Sequence, residues 1–186
     1  MFIENEIYKV KIIRDETFTL NSTDNKPYHC VFNPDDMKRS DYYKVLSITV
    51  EYFDSEKRIA LIGSLFGADE DIALLDGNDL IILMNTTITV INCQTLSISL
   101  HKAIAKGGIY FSMHRFDNGF VIYGELEILK LSFEFEKEWD FSGADIFVTH
   151  DGSNPFHIEN DTIHLLDWEG RQYVVDRFGN ELTNHA

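Results

Sequence analysis

The chain has 186 residues, of which 44% are apolar and 13% aromatic, a composition that indicates a globular protein with a sizeable core. Asp and Glu number 31 against 16 Lys and Arg, so the formal net charge is −15. This excess repels phosphate backbones and anionic lipid, which argues against nucleic-acid and membrane-surface binding. It either favours a basic protein as partner or serves solubility alone.

The length is that of one domain, 1–186. The first residues show no basic stretch followed by an apolar segment, and no apolar run approaches the ~20 residues of a membrane helix. The two cysteines, Cys30 and Cys93, lie far apart without metal-binding spacing. We therefore expect a reducing, cytoplasmic location.

Residues 1–70 are predicted to form two β-hairpins. Apolar and polar residues alternate in Ile7–Ile13, and Thr17–Leu20 is its predicted partner strand. Tyr42–Phe53 and Arg58–Leu65 form the second pair across a predicted turn at 54–57.

Between these hairpins lies a long segment, 21–41, with little periodicity and an apolar centre. Loops of this length are often binding loops. The candidate partner-binding residues are Tyr28 and Phe32, with Asp35 and Asp36 as acidic support. The alternative is that the segment packs on the core, with a short helix.

The rest of the chain is organised by a tandem repeat of about 36 residues, the signature of a repeat architecture. The copies span 71–107, 108–143 and 144–179, followed by a tail at 180–186. The aligned positions of the last two copies are Phe111/Phe147, His114/His150, Asn118/Asn154, Phe120/Phe156, Ile122/Ile158, Leu129/Leu165, Asp140/Asp176 and Gly143/Gly179.

Each copy contains short β-branched and aromatic runs separated by Gly, Asn and Asp, which predicts a four-stranded antiparallel meander. The predicted strands are 71–75, 80–84, 87–91 and 96–100, then 109–114, 120–123, 126–133 and 138–141, then 145–150, 156–159, 162–166 and 171–175. The predicted fold class is therefore all-β, built from tandem meanders.

Two of the copies end in related dipeptides. Trp139-Asp140 and the aligned Val175-Asp176 each stand three residues before a glycine. A meander closed in this way resembles a blade of the tryptophan–aspartate-repeat and quinoprotein-like β-propellers, over about 71–179. The resemblance implies a small, about four-bladed or incomplete propeller-like fold, with a β-sandwich as the alternative. The tryptophan-docking motif of the quinoprotein type is absent, so the resemblance implies no cofactor.

The sequence contains no nucleophile elbow and no phosphate-binding loop. The strongest constellation is a pair of equivalent histidines, His114 and His150, each with a nearby carboxylate, Asp117 and Asp151. On one rim of neighbouring modules these four residues are a candidate ligand site. They are equally what turns and strand ends need for their own geometry, and we expect no metal ion or cofactor there.

These features favour a non-enzymatic protein–protein interaction module of a bacterial type, with inhibition of a basic partner by an immunity-type protein as one form. That interpretation rests on size and charge. The alternative is a carbohydrate-active, small-ligand or metal-binding protein that uses a propeller rim.

Overall fold

The computed structural model describes residues 1–38, 43–67 and 70–182. These residues form sixteen β-strands in four sheets and no helix, so the all-β prediction is confirmed. They include no helix long and apolar enough to cross a membrane. The chain divides into a first unit, Met1–Ala103, and a second unit, Ile104–Ala186. The prediction of one domain stays a prediction.

The first sheet has five strands in the order β1-β2-β4-β5-β3. The strands are β1 (Phe2–Glu4), β2 (Lys9–Arg14), β3 (Cys30–Phe32), β4 (Lys44–Tyr52) and β5 (Ser55–Gly63). All neighbours are antiparallel except β3, which runs parallel to β5. Because side chains alternate along a strand, Leu46 and Ile48 enter the main core of the first unit, whereas Val45 and Ile62 join a smaller cluster.

Two predictions for this region are wrong. Thr17–Leu20 is not a strand, because the Asp15 carboxylate accepts hydrogen bonds from the Thr17 N–H (3.1 Å) and hydroxyl (2.6 Å) and turns the chain there. The segment 21–41 is not a continuous loop, since it contains β3. Residues 39–41 of that segment and the predicted strand start at Tyr42 lie outside the described residues.

The second sheet is a four-stranded meander that agrees with the predicted first copy of the repeat. Its strands are β6 (Ala73–Asp76), β7 (Asp79–Met84), β8 (Thr87–Asn92) and β9 (Ser97–Ala103). Tight turns join them, with Gly77 (φ 55°) and Asn85 (φ 54°) in the left-handed region. Gly and Asn adopt this conformation more readily than other residues, which explains why the sequence signal was clear.

The third sheet is also a meander of four strands, as predicted for the second copy. It contains β10 (Tyr110–Phe116), β11 (Gly119–Gly124), β12 (Ile128–Ser132) and β13 (Lys137–Phe141). Lys130 is fully buried in it, and its ammonium donates to Asn118 Oδ1 (3.1 Å) and Glu138 Oε2 (2.9 Å). Gly119 makes room for this arrangement, because a Cβ there would lie 2.0 Å from the Leu131 carbonyl oxygen.

The fourth sheet has three strands, not the four predicted for the last copy. They are β14 (Phe156–Glu159), β15 (Thr162–Leu166) and β16 (Gln172–Asp176). The predicted strand 145–150 is wrong. Its backbone binds two other segments instead of β14: the Phe147 N–H donates to the Glu125 carbonyl (2.6 Å), and the Ile146 carbonyl accepts from the Trp168 N–H (2.8 Å). We call residues 145–150 the connector.

The third and fourth sheets share the core of the second unit. Val121 and Tyr123 of β11 lie in this core with Phe156 of β14, Ile163 of β15 and Val175 of β16. After β16 the chain continues with a bridge between Val175 and Glu181. The last residues of the predicted tail, 183–186, lie outside the described residues.

Candidate functional site

The two aromatic residues predicted to anchor a partner serve the packing of the first unit. The Tyr28 hydroxyl donates to the buried Asp15 carboxylate (2.6 Å), and its ring meets the Phe18 ring edge-on at 5.9 Å. Phe32 lies in β3, partly buried against the main core. Packing within the first unit therefore explains why Tyr28 and Phe32 are aromatic.

The two acidic residues of the same prediction are exposed and have partners within the first unit. Asp35 Oδ1 lies 2.9 Å from His101 Nε2, and Asp36 Oδ2 lies 2.9 Å from Lys38 Nζ. Since no partner chain is present, binding by this segment stays a prediction.

The predicted equivalence of the two rim histidines is wrong, while ligand binding by these residues stays a prediction. His114 lies inside β10 and not at its end, and its ring stacks on Phe156 at 5.0 Å. His150 lies at the end of the connector, with its ring 3.5 Å from that of Trp168. The two positions differ because only the first belongs to a strand.

The carboxylates of that prediction shape local turns. Asp117 adopts a φ of 50° in the turn between β10 and β11. Asp151 accepts a hydrogen bond from the Ser153 N–H (3.0 Å), and this contact with Ser153 lowers the pKa of the carboxyl. Among the residues that the structure describes, none of His114, Asp117, His150 and Asp151 joins a group of three potential metal ligands.

The surface feature that the fold explains least is the turn between β4 and β5. Tyr52 lies opposite Ser55, so the turn itself consists of Phe53 and Asp54, earlier in the chain than the predicted turn at 54–57. The Phe53 side chain is 87% exposed and its φ is 47°. A bulky residue is uncommon in this left-handed region, where Gly and Asn are usual.

The Phe53 ring ends a row of three aromatic rings that starts in the core. The Tyr8 ring is buried and lies 5.1 Å from the Tyr52 ring, which lies 4.4 Å from the Phe53 ring. Tyr52 is itself exposed. We call Tyr52 and Phe53 the aromatic tip. The buried Tyr8 fixes the inner end of the row, so the tip presents two aromatic faces from a supported position.

Three carboxylate residues flank the aromatic tip along the chain. Glu51 lies directly opposite Glu56 across the hairpin, and Asp54 stands in the turn. Like charges opposite each other on a sheet are destabilising. Lys9 on the other side of Glu51 and the Arg58–Glu56 contact (3.1 Å) offset part of this repulsion. The tip thus combines an exposed aromatic ring with two features that cost stability, a left-handed φ and facing carboxylates.

Sequence reasoning missed this tip because it placed the turn too late. The available signal was the apolar alternation of β4, in which Ile48, Val50 and Tyr52 face the same side. That alternation puts Phe53 at the first position after the strand, where Asn or Gly would be expected.

No protein-family model matches the chain, and no curated protein matches it. Among solved structures, the computationally designed Ika4 protein is similar over 66% of this chain and 76% of its own, with 14% identity and a TM-score of 0.46. Hsv2 of Kluyvelomyces marxianus is similar over 75% of this chain and 43% of its own, with 8% identity and a TM-score of 0.42. The likeness therefore spans less than half of the Hsv2 chain.

Proposed function

We propose that this chain is a non-enzymatic protein-interaction module that binds a positively charged partner through the aromatic tip. The observation that carries the proposal is Phe53, whose ring is 87% exposed at a φ of 47°. A bulky residue that is held at a left-handed φ, with its ring exposed and supported by an aromatic row, is a candidate for a functional contact.

The chemistry of the tip fits basic side chains. Exposed faces of Tyr52 and Phe53 attract guanidinium and ammonium groups. The carboxylates of Glu51, Asp54 and Glu56 lie within the same six residues and accept charge-assisted hydrogen bonds. The net charge of −15 steers a basic protein towards the chain, while the aromatic anchor supplies most of the affinity.

Inhibition of a basic toxin in a bacterial cytoplasm is one role of this kind, and the location stays a prediction. The proposal also keeps the interpretation of the repeats as blades of a small propeller-like fold. The blade interpretation is supported by the second and third sheets, in which each strand neighbours the next one in the chain.

The proposal is tested by selecting a library of random 12-residue peptides against the whole chain and titrating the enriched peptides by fluorescence anisotropy. We expect enriched peptides to contain Arg or Lys. We expect Phe53→Asn to weaken their binding at least tenfold, the size of a modest hot spot, about 1.4 kcal/mol. Phe178→Asn is the matched control, because Phe178 is also an exposed phenylalanine, in the second unit. Enrichment of peptides without basic residues, or equal binding by Phe53→Asn and wild type, refutes the proposal.

A second prediction concerns stability. We expect Phe53→Asn to raise the free energy of unfolding of the first unit by about 0.5–1 kcal/mol, because Asn tolerates the left-handed conformation and removes an exposed apolar ring. Urea denaturation followed by far-ultraviolet circular dichroism measures the change. Phe2→Asn is the control, since Phe2 is exposed in a regular strand and offers no relief of backbone strain. A loss of stability in Phe53→Asn would show that the ring serves the fold.

A further inference from the structure

Two histidines and a carboxylate converge on the fourth sheet. His157 of β14 and His164 of β15 are register partners, and their rings stack with centroids 4.6 Å apart and planes 13° apart. Glu159 follows His157 by two residues and therefore shares its face of the sheet. One nitrogen or oxygen atom from each of the three side chains lies within 4.8 Å of the other two.

This face is not the one that packs the core. Phe156 and Ile158 alternate with the cluster residues along β14 and contact the core of the second unit. His157 and Glu159 are exposed and His164 is half-buried. A groove beside the histidines is lined by residues including Pro155, Leu166, Gln172 and Val174. The three side chains are therefore open to solvent and to small ions, and hydrophobic packing does not explain their juxtaposition.

Thr162 holds the ring of His164 in place. The Thr162 hydroxyl lies 2.8 Å from the Glu159 backbone carbonyl and 3.0 Å from His164 Nε2. The same His164 nitrogen lies 3.8 Å from Glu159 Oε2. Thr162 therefore orients the His164 ring with Nε2 beside the carboxylate of the cluster.

We propose that His157, His164 and Glu159 bind one divalent transition-metal ion, with Zn²⁺ as the leading ion. Two imidazole nitrogens and one carboxylate oxygen are a ligand set that suits zinc, copper or nickel, whereas calcium and magnesium prefer oxygen ligands alone. Zinc–nitrogen bonds are about 2.0–2.1 Å long and lie in the plane of the imidazole ring, so the two rings must turn out of their near-parallel stack for both to reach one ion. Three protein ligands leave a fourth position open for water or for a group from another molecule.

The charge of the surrounding unit favours a cation. Residues 104–186 contain fifteen Asp and Glu against six Lys and Arg. The sequence alone does not bring His157 and His164 together, because their pairing depends on the register of β14 and β15. The proposed metal site is independent of the interaction proposed for the aromatic tip, which belongs to the first unit.

The test uses the whole chain and Zn²⁺ alone, with calorimetric titration at neutral pH and low salt. We expect one equivalent of Zn²⁺ to bind, and no heat from Mg²⁺. We expect His157→Ala, His164→Ala and Glu159→Gln each to weaken binding at least tenfold. His150→Ala and Asp161→Asn are the matched controls, because each removes a nearby imidazole or carboxylate outside the cluster, and both should bind Zn²⁺ like the wild type.

A second measurement uses the wild-type chain, so its result does not depend on whether the variants fold. Addition of paramagnetic Cu²⁺ should broaden the ring proton signals of His157 and His164 in the nuclear magnetic resonance spectrum at concentrations that leave His114 and His150 sharp. Absence of Zn²⁺ binding, equal affinity in a cluster variant and the controls, or broadening of all histidines together overturns the proposal.

Discussion

Phe147→Ala is expected to destabilise the second unit by about 3–5 kcal/mol, the usual cost of deleting a fully buried phenylalanine. The Phe147 side chain is 0% exposed, and its ring stacks on Phe141 at 6.4 Å and meets Tyr173 edge-on at 5.9 Å. Its backbone is bound on both sides, since its N–H donates to Glu125 and its carbonyl accepts from the Tyr123 hydroxyl. An alanine would leave a cavity that these contacts prevent from collapsing.

Urea denaturation followed by tryptophan fluorescence measures this loss, because Trp139 and Trp168, the only tryptophans of the chain, both belong to the second unit. Phe133→Ala is the control, since Phe133 is half exposed in the same unit and should cost less than about 1 kcal/mol. Equal effects of the two substitutions would show that the connector does not hold the core.

The repeated meanders of the second and third sheets could be predicted because local signals agree there. Short β-branched and aromatic runs end at residues such as Gly77 and Asn85, which adopt a left-handed φ at little cost. Turn chemistry and strand propensity are read within a few residues, so no knowledge of distant contacts is needed.

The connector was mistaken for a strand because its composition is that of a strand. Its structure is decided by the hydrogen bonds of two backbone groups, the Ile146 carbonyl and the Phe147 N–H. The partners of both groups are about 20 residues away in the chain. The burial of Lys130 could not be predicted for the same reason, since only the folded sheet brings Asn118 and Glu138 to its ammonium group. Long-range hydrogen bonds of this kind leave no periodic signal.

The candidate sites were missed for a related reason. Phe53 is unusual because of its φ and its exposure, which only the structure gives. The predicted turn began one residue too late and placed Phe53 inside the strand. His157 and His164 each stand between apolar neighbours in the sequence, which indicates no more than two separate packed or surface imidazoles. Their stacking follows from the register of β14 and β15.

Asp15→Asn is expected to destabilise the first unit by about 2 kcal/mol at pH 7. Burial alone would raise the pKa of the Asp15 carboxyl, but hydrogen bonds from Thr17, Tyr28 and Lys26 outweigh it and lower the pKa from 3.8 to about 2. The side chain is 1% exposed, so its charge depends on these donors. An asparagine keeps one oxygen for Thr17 and Lys26 but loses the negative charge, and its amide replaces the oxygen that accepts from the Tyr28 hydroxyl.

The loss should depend on pH with a defined sign. Since the pKa of Asp15 is lower in the folded chain than in the unfolded one, its stabilising contribution is fully present above about pH 4.5 and disappears as the pH falls towards 2. The difference in unfolding free energy between wild type and Asp15→Asn is therefore constant from pH 7 to about pH 4.5, and shrinks below that.

Urea denaturation followed by circular dichroism, or hydrogen exchange of the β4 and β5 amides, measures this difference without relying on the tryptophans of the second unit. Asp24→Asn is the control, because Asp24 is an exposed carboxylate of the same segment and should change stability by less than about 0.5 kcal/mol. If Asp15→Asn matched this control at pH 7, or if its cost persisted unchanged at pH 2.5, the charge of Asp15 would not be what ties residues 17–28 to the start of β4. If the cost falls with the pH as described, the negative charge of the Asp15 carboxylate holds this segment.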